Sequence, residues 1–388
     1  MGTPLKRLGL RYNPFEPSAS GAPVQESSWS PAKWEGELRA QLDQLAGAQG
    51  VKAIAISGEY GSGKTYILQW LQRVELPRRR IRAFYFDNPG VQFYDLANAL
   101  LRQIGRKDFA KSLWELASTH VGPYQRTFFG TGFEDFLRKR RGQKPEVVLA
   151  RLQDAIVKAK ITTREEIAYR LAQLVADTPT KPYYEYRDFV AGRRNTLVAE
   201  REEAPYFGAI LKTLRLAANI KAVAFLIDEF EEVALQKRLT RREAHEYLAT
   251  LKRLINLTEE DLWLVVAMTP DAVDKTQALE PALWQRFTGQ GKYLLTIRPL
   301  TAGEAMLLVE ERLKAARLPG FKPGNRLFPF PDDLTSILSP ANRSSPRRLV
   351  KICFYAIGNA RGKTPPFKRG FLKQIEGRAY PRPRQGEA

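Results

Sequence analysis

Residues Gly58-Glu59-Tyr60-Gly61-Ser62-Gly63-Lys64-Thr65 read G-x-x-x-x-G-K-T, a spacing suited to holding phosphate. The apolar run Ala53-Ile54-Ala55-Ile56 precedes them, and Tyr66-Ile67-Leu68-Gln69-Trp70-Leu71 has the pattern of a helix start behind them. In a strand, turn and helix of this kind, glycines let backbone N–H groups face an anion, and the helix start adds partial positive charge. The expected ligand is ATP, cradled by Gly58, Glu59, Tyr60, Gly61, Ser62 and Gly63 with Tyr66 close behind. Lys64 is expected to reach the β- and γ-phosphates and the Thr65 hydroxyl to ligate Mg²⁺.

A second acidic set complements the first. Ala222-Val223-Ala224-Phe225-Leu226-Ile227 has the character of a buried strand, and it ends in Asp228-Glu229. In open α/β sheets ligands bind beyond the carboxyl ends of strands. Asp228 is expected to support the Mg²⁺ shell through a water, because Mg²⁺ retains several waters. Glu229 is the candidate for polarising an attacking water. The neighbouring Glu231 and Glu232 read as solvated helix charges.

Five apolar segments must position these groups: Lys52–Ile56, Ile81–Phe86, Ala222–Ile227, Trp263–Met268 and Tyr293–Ile297. Helical periodicities lie between them, in Tyr94–Ile104, Glu146–Ala159, Arg164–Val175 and Tyr206–Ala217. The pattern predicts an α/β fold, a five-stranded parallel sheet with a large helical insertion and a C-terminal all-helical lid. Residues 1–50 read as an arm with little regular structure, and residues 51–299 as the core. The insertion covers about 105–205, residues 300–361 form the lid, and residues 362–388 read as a flexible basic tail. Within the lid, Thr301 and Glu304 have the spacing of a capping box. Aromatics mixed with cations, as in Arg126-Thr127-Phe128-Phe129 and Phe136-Leu137-Arg138, could stack on exposed bases.

The 388 residues carry 62 lysines and arginines against 42 acidic residues, a formal charge of +20. Such an excess points to a polyanionic partner, nucleic acid, with DNA favoured. A single cysteine, Cys353, excludes a disulfide framework, and with only His120 and His245 a histidine metal cluster is not expected. No apolar run approaches the ~18–20 residues that cross a bilayer, and no signal-peptide pattern opens the chain. The expected location is the cytoplasm, with no membrane partner.

These parts resemble the AAA+ ATPases, in strand order as well as motif. The resemblance implies a polar sensor at the end of the fourth strand, where Thr269 stands. It also implies an arginine acting in trans from a segment before the fifth strand, and Arg286 in Leu283-Trp284-Gln285-Arg286-Phe287 matches. Ser345-Pro346-Arg347-Arg348-Leu349 is similar to the second sensor motif of origin-recognition and transposition-regulator ATPases, which puts Arg347 at the γ-phosphate, with Arg348 less favoured. Within that clade the chain most resembles ATP-binding proteins of prokaryotic defence and mobile-element systems. It departs from the origin-recognition pattern in its long insertion and in leaving no room for a winged-helix domain after the lid.

The expected activity is ATP hydrolysis with Mg²⁺ by an oligomer, stimulated by or acting on DNA as a motor, loader or regulator of a partner protein. That partner would belong to a defence, transposition or replication system. The alternative is an ATP-dependent protein scaffold or switch with slow hydrolysis and no direct nucleic-acid role.

Overall fold

Five strands form one sheet: β1 (Lys52–Ser57), β2 (Ile81–Phe86), β3 (Ala222–Ile227), β4 (Leu262–Met268) and β5 (Leu294–Thr296). Their order is β2-β3-β4-β1-β5. The structure is a computed structural model that describes residues 4–15, 32–47, 52–88, 90, 93–121, 127–177, 197–235, 239–257, 262–289 and 292–381. The cation Arg126 and residues 382–388 of the expected tail lie outside the described residues.

β3 and β4 are buried at every position, which is why they read as unbroken apolar runs rather than alternating ones. β2 pairs with β3 in parallel, Tyr85 opposite Leu226 and Phe86 opposite Ile227. β3 pairs with β4 in parallel, Ile227 opposite Val266. β5 bonds to β1 through Ala55 N to Tyr293 O (3.0 Å) and Ile297 N to Ser57 O (2.8 Å). Among the described residues, no helix is long and apolar enough to cross a membrane.

The chain folds as two units, and the boundary runs through β1. The second unit comprises Leu45–Ala55 and Leu71–Leu294. Its helices between β2 and β3 include Phe93–Ile104, Arg106–Thr119, Phe133–Lys139, Pro145–Lys158 and Glu165–Ala176. They share one continuous apolar core with the strands, in which Phe84, Phe86 and Phe225 join Phe109, Trp114 and Phe136. The last helix before β3 spans Leu197–Ala217 and carries Pro205 inside it, so it begins before Tyr206, where the sequence periodicity starts. Phe128, Phe129 and Phe136 are buried, with Phe136 stacked on Phe129 at 6.1 Å. Base stacking by these rings is therefore excluded; they hold the helices together.

The first unit comprises Met1–Gln44, Ile56–Trp70 and Leu295–Ala388. Its core gathers Leu8, Leu10 and Phe15 with Leu313, Phe330, Ile352 and Leu372. Helix Ala302–Ala316 starts at a complete capping box, with Glu304 N donating to Thr301 and Thr301 N to Glu304. Two expectations are corrected here. The N-terminal arm contains a 16-residue helix, Ala32–Gly47, whose Leu38, Leu42 and Leu45 recur at i+4 and i+3 and are buried. The expected flexible tail contains helix Arg369–Ala379, with Leu372 and Ile375 in the core and Phe367 edge-on to Phe330 at 5.4 Å. Basic residues fill its outer face and mask the apolar stripe on its inner one.

Candidate functional site

The loop of the first unit follows β1 directly. Gly61 adopts φ +77° and Gly63 φ +105°, backbone that an L side chain rarely takes, so glycine is required at both turns. Lys64 opens the helical segment Lys64–Trp70, which continues through a π-helical turn at Leu71–Glu75. Its side chain is buried, and Nζ donates to the carbonyls of Gly58 (2.6 Å) and Glu59 (3.3 Å). Nζ also lies 5.5 Å from the centre of the exposed Tyr60 ring. Ser62 Oγ is buried with no hydrogen-bond partner among the described residues. A buried ammonium and an orphaned hydroxyl on a glycine turn fit an anion carrying several oxygens.

Arg347 meets this loop within the same unit. Helix Pro346–Gly358 starts at Ser345, with proline in its first turn. Arg347 N donates to Gly61 O at 3.3 Å. A Cβ placed on Gly61 would come 2.9 Å from Arg347 Cβ, so the two backbones approach as closely as glycine permits. Arg347 itself is exposed, while Arg348 stacks over Tyr380 at 5.3 Å. The nearby Arg312 is half-buried and donates to Pro14 O at 3.0 Å, which ties residues 4–15 to helix Ala302–Ala316.

The second unit presents the strand-end carboxylates. Asp228 is 4% exposed, and its backbone N donates to Phe86 O at 2.8 Å. Its Oδ1 accepts from Glu229 N (3.0 Å) and its Oδ2 from the Tyr85 hydroxyl (3.0 Å). Burial, followed by the charge of Asp228, pushes the Tyr85 hydroxyl well above the usual tyrosine range, so it remains a donor. Glu229 is exposed and sits at φ +50°, a left-handed conformation that costs a non-glycine residue about 1–3 kcal/mol. Thr269 directly follows β4 and stands at the N-cap of helix Pro270–Leu279; its Oγ1 is buried without a partner among the described residues. Arg286 is exposed on helix Pro281–Thr288, whose other face buries Leu283, Trp284 and Phe287.

Each sequence-derived residue thus has a defined place: Gly58–Tyr66 and Arg347 together in the first unit, Asp228, Glu229, Thr269 and Arg286 in the second. Tyr85 was not anticipated. Its signal appears only with the strand register, because Leu226 opposite Tyr85 shares its sheet face with Asp228 two residues on. The Thr65 hydroxyl of the first unit and the Asp228 carboxylate of the second are each hard oxygens of the kind Mg²⁺ takes. Among the described residues no cluster of three or more His, Cys, Asp or Glu forms a self-contained metal cage.

Comparison with known proteins places the fold. No protein-family profile matches the chain, and no curated protein does. Among solved structures, it is similar to the Orc2 protein of Aeropyrum pernix in its ADPNP–ADP complexes. That match has a TM-score of 0.51 at 12% identity, over 95% of this chain and 72% of that one. The ADP form of the same protein gives 0.49 at 12% identity, over 95% and 73%. Cdc6p from Pyrobaculum aerophilum gives 0.44 at 14% identity, over 89% of this chain and 65% of its own. The chain shares the fold of that Aeropyrum pernix Orc2 structure, with a five-stranded parallel sheet in a mostly helical molecule.

Proposed function

We propose that the protein is an oligomerising ATPase that binds and hydrolyses ATP with Mg²⁺ and acts on DNA. Its role would be motor, loader or regulator for a partner protein of a replication, transposition or defence system. The observation that carries this reading is the meeting of Arg347 with the Gly61 turn of the lysine-bearing loop. A glycine loop alone could hold any phosphate; one with an arginine from a separate helix against it is suited to sensing the terminal phosphate.

The chemistry follows from what each group can do. The loop amides and Lys64 hold the phosphates still, and Lys64 exchanges its two carbonyl partners for phosphate oxygens. Mg²⁺, when bound, would neutralise phosphate charge, with the Thr65 hydroxyl and Asp228 as its protein ligands. Tyr85 and the Glu229 amide fix the Asp228 carboxylate from both sides. Glu229 orients the attacking water and accepts its proton. The partnerless Thr269 hydroxyl is a donor available to that water or to the γ-phosphate. Exposed Arg286 would complete the site of a second subunit, which makes turnover depend on assembly.

Steady-state ATP turnover tests the reading, measured with and without duplex DNA. Lys64→Ala should lose nucleotide binding, whereas Glu229→Gln should bind ATP and leave it intact. Arg286→Ala mixed with Lys64→Ala should recover turnover that neither has alone. Wild-type turnover in Glu229→Gln refutes the catalytic assignment, and turnover that ignores DNA at low salt refutes the nucleic-acid part.

A further inference from the structure

Positive charge is concentrated in one ordered stretch of the first unit. Residues 340–381 contain ten lysines and arginines and one acidic residue, Glu376, so they hold +9 of the chain's +20. Glu376 is buried and fully engaged, accepting from Ser339 N (2.7 Å), Asn342 Nδ2 (2.8 Å) and Lys373 Nζ (2.9 Å). Arg361, Lys363, Lys368, Arg369 and Arg378 are exposed, and among the described residues none forms an ion pair. In the second unit Lys107 pairs with Glu134 (2.6 Å), Lys158 with Asp154 (2.6 Å) and Arg242 with Glu246 (2.8 Å).

The chemistry of this surface selects its partner. Helices Pro346–Gly358 and Arg369–Ala379 are pinned by buried Ile352, Leu372 and Ile375, so the cations stand on a rigid base. The only large hydrophobic residue exposed there is Tyr355, which leaves no apolar face to enter a membrane. Tyr380 lies beneath Arg348 (5.3 Å) and Lys351 (4.9 Å), and Phe371 beneath Lys363 (5.5 Å). With these rings covered, the surface lacks the open stacking platforms that single strands use. What remains is a field of unpaired cations suited to a regular array of phosphates.

We propose that the surface of residues 340–381 docks on the phosphate backbone of duplex DNA without reading base sequence, a proposal that rests on the DNA-acting reading above. It also places that contact in the unit that holds Arg347 and the nucleotide loop.

Fluorescence anisotropy with labelled duplexes of two unrelated sequences tests it. The variant combines Lys363→Gln, Lys368→Gln, Arg369→Gln and Arg378→Gln, none of which belongs to the proposed nucleotide site. A charge-matched comparator combines Lys107→Gln, Lys111→Gln, Lys158→Gln and Arg242→Gln. Between about 50 and 200 mM salt, losing four phosphate contacts should flatten the log–log salt dependence by about 3–4. At ~100 mM salt the affinity should fall at least about 100-fold, with the comparator within about threefold of wild type. Equal losses in both variants overturn the location and leave the DNA reading standing; a wild type that binds no duplex overturns both. Tighter binding to an RNA duplex, displacement by phosphatidylserine vesicles, or a strong preference between the two sequences each overturns the proposal. Lysine acetylation footprinting of the wild type supplies a measurement free of folding effects. DNA should protect Lys363, Lys368 and Lys373 but not Lys107 or Lys158, and the reverse pattern overturns the assignment.

Discussion

Replacing Gly61 by alanine perturbs two things at once, and the structure separates them. The first is backbone: at φ +77°, an L-residue costs about 1–2 kcal/mol more than glycine. The second is contact: the new Cβ would sit 2.9 Å from Arg347 Cβ, 3.2 Å from its Cδ and 3.4 Å from Ser345 Oγ. The nearest of these is well inside the ~3.5–4.0 Å optimum for carbon atoms. Arg347 Cβ is fixed by the helix that bears it and cannot swing aside, so the overlap should cost another 1–3 kcal/mol, roughly. Together these give about 2–5 kcal/mol, a fall in melting temperature of roughly 5–15 °C for a unit of this size. Thermal unfolding with and without nucleotide measures the loss. A double-mutant cycle with Arg347→Gly isolates the overlap, because that change removes the offending Cβ and leaves the backbone cost in place; a coupling of at least about 1 kcal/mol is expected. A Gly61→Ala protein that melts with the wild type, or a double variant with purely additive losses, would falsify the claimed meeting of loop and helix.

Three further outcomes follow from single contacts. Phe15→Ala should destabilise the first unit by about 3–5 kcal/mol in urea unfolding, because the ring is fully buried edge-on to Phe330 at 5.9 Å. Tyr85→Phe removes a hydrogen bond to a charged carboxylate, worth about 1.5–3 kcal/mol, and should weaken Mg²⁺-dependent nucleotide binding about ten- to a hundredfold. A titration of fluorescent nucleotide against Mg²⁺ that shows no change would remove Tyr85 from the site. At Glu376, burial alone would raise the carboxyl pKa, but the bonds from Asn342, Ser339 and Lys373 outweigh it and hold it at about 2 against an ordinary 4.5. A lowered folded value means that the charged form contributes stability fully above about pH 4.5, and that this contribution fades as the pH falls toward about 2. Unfolding curves of wild type and Glu376→Gln should therefore converge near the acid end and separate above it; a constant gap would mean that the carboxyl is not the cause.

The sheet was legible because its central strands are covered on both faces, which turns Ala222–Ile227 and Leu262–Met268 into continuous apolar runs. The glycine loop was legible because φ above zero at Gly61 and Gly63 leaves little choice of residue. What escaped was information held between distant segments. Tyr85 reaches Asp228 only through the register of two strands separated by the helical stretch, and nothing local marks it. Helices Ala32–Gly47 and Arg369–Ala379 each bury a narrow stripe beneath polar or basic surroundings, and average composition hides such a stripe. Phe128, Phe129 and Phe136 read equally well as core or as stacking surfaces until their burial is known. The inclusion of residues 45–55 with 71–294, apart from the loop between them, has no sequence signal at all.

The packing of Leu8, Leu10 and Phe15 among residues from beyond position 300 also has a kinetic side. Leu10 bridges to Arg317, and Arg11 N donates to Ala316 O at 2.8 Å, across roughly three hundred residues of chain. During synthesis, most of the second unit leaves the ribosome before any of these partners exists. The residues of the arm must wait, and so must Gly61, whose neighbour Arg347 emerges among the last helices. A nascent chain therefore acquires the surroundings of its nucleotide loop only as translation nears the end of this sequence, and truncated products carry the motif without the unit that completes it.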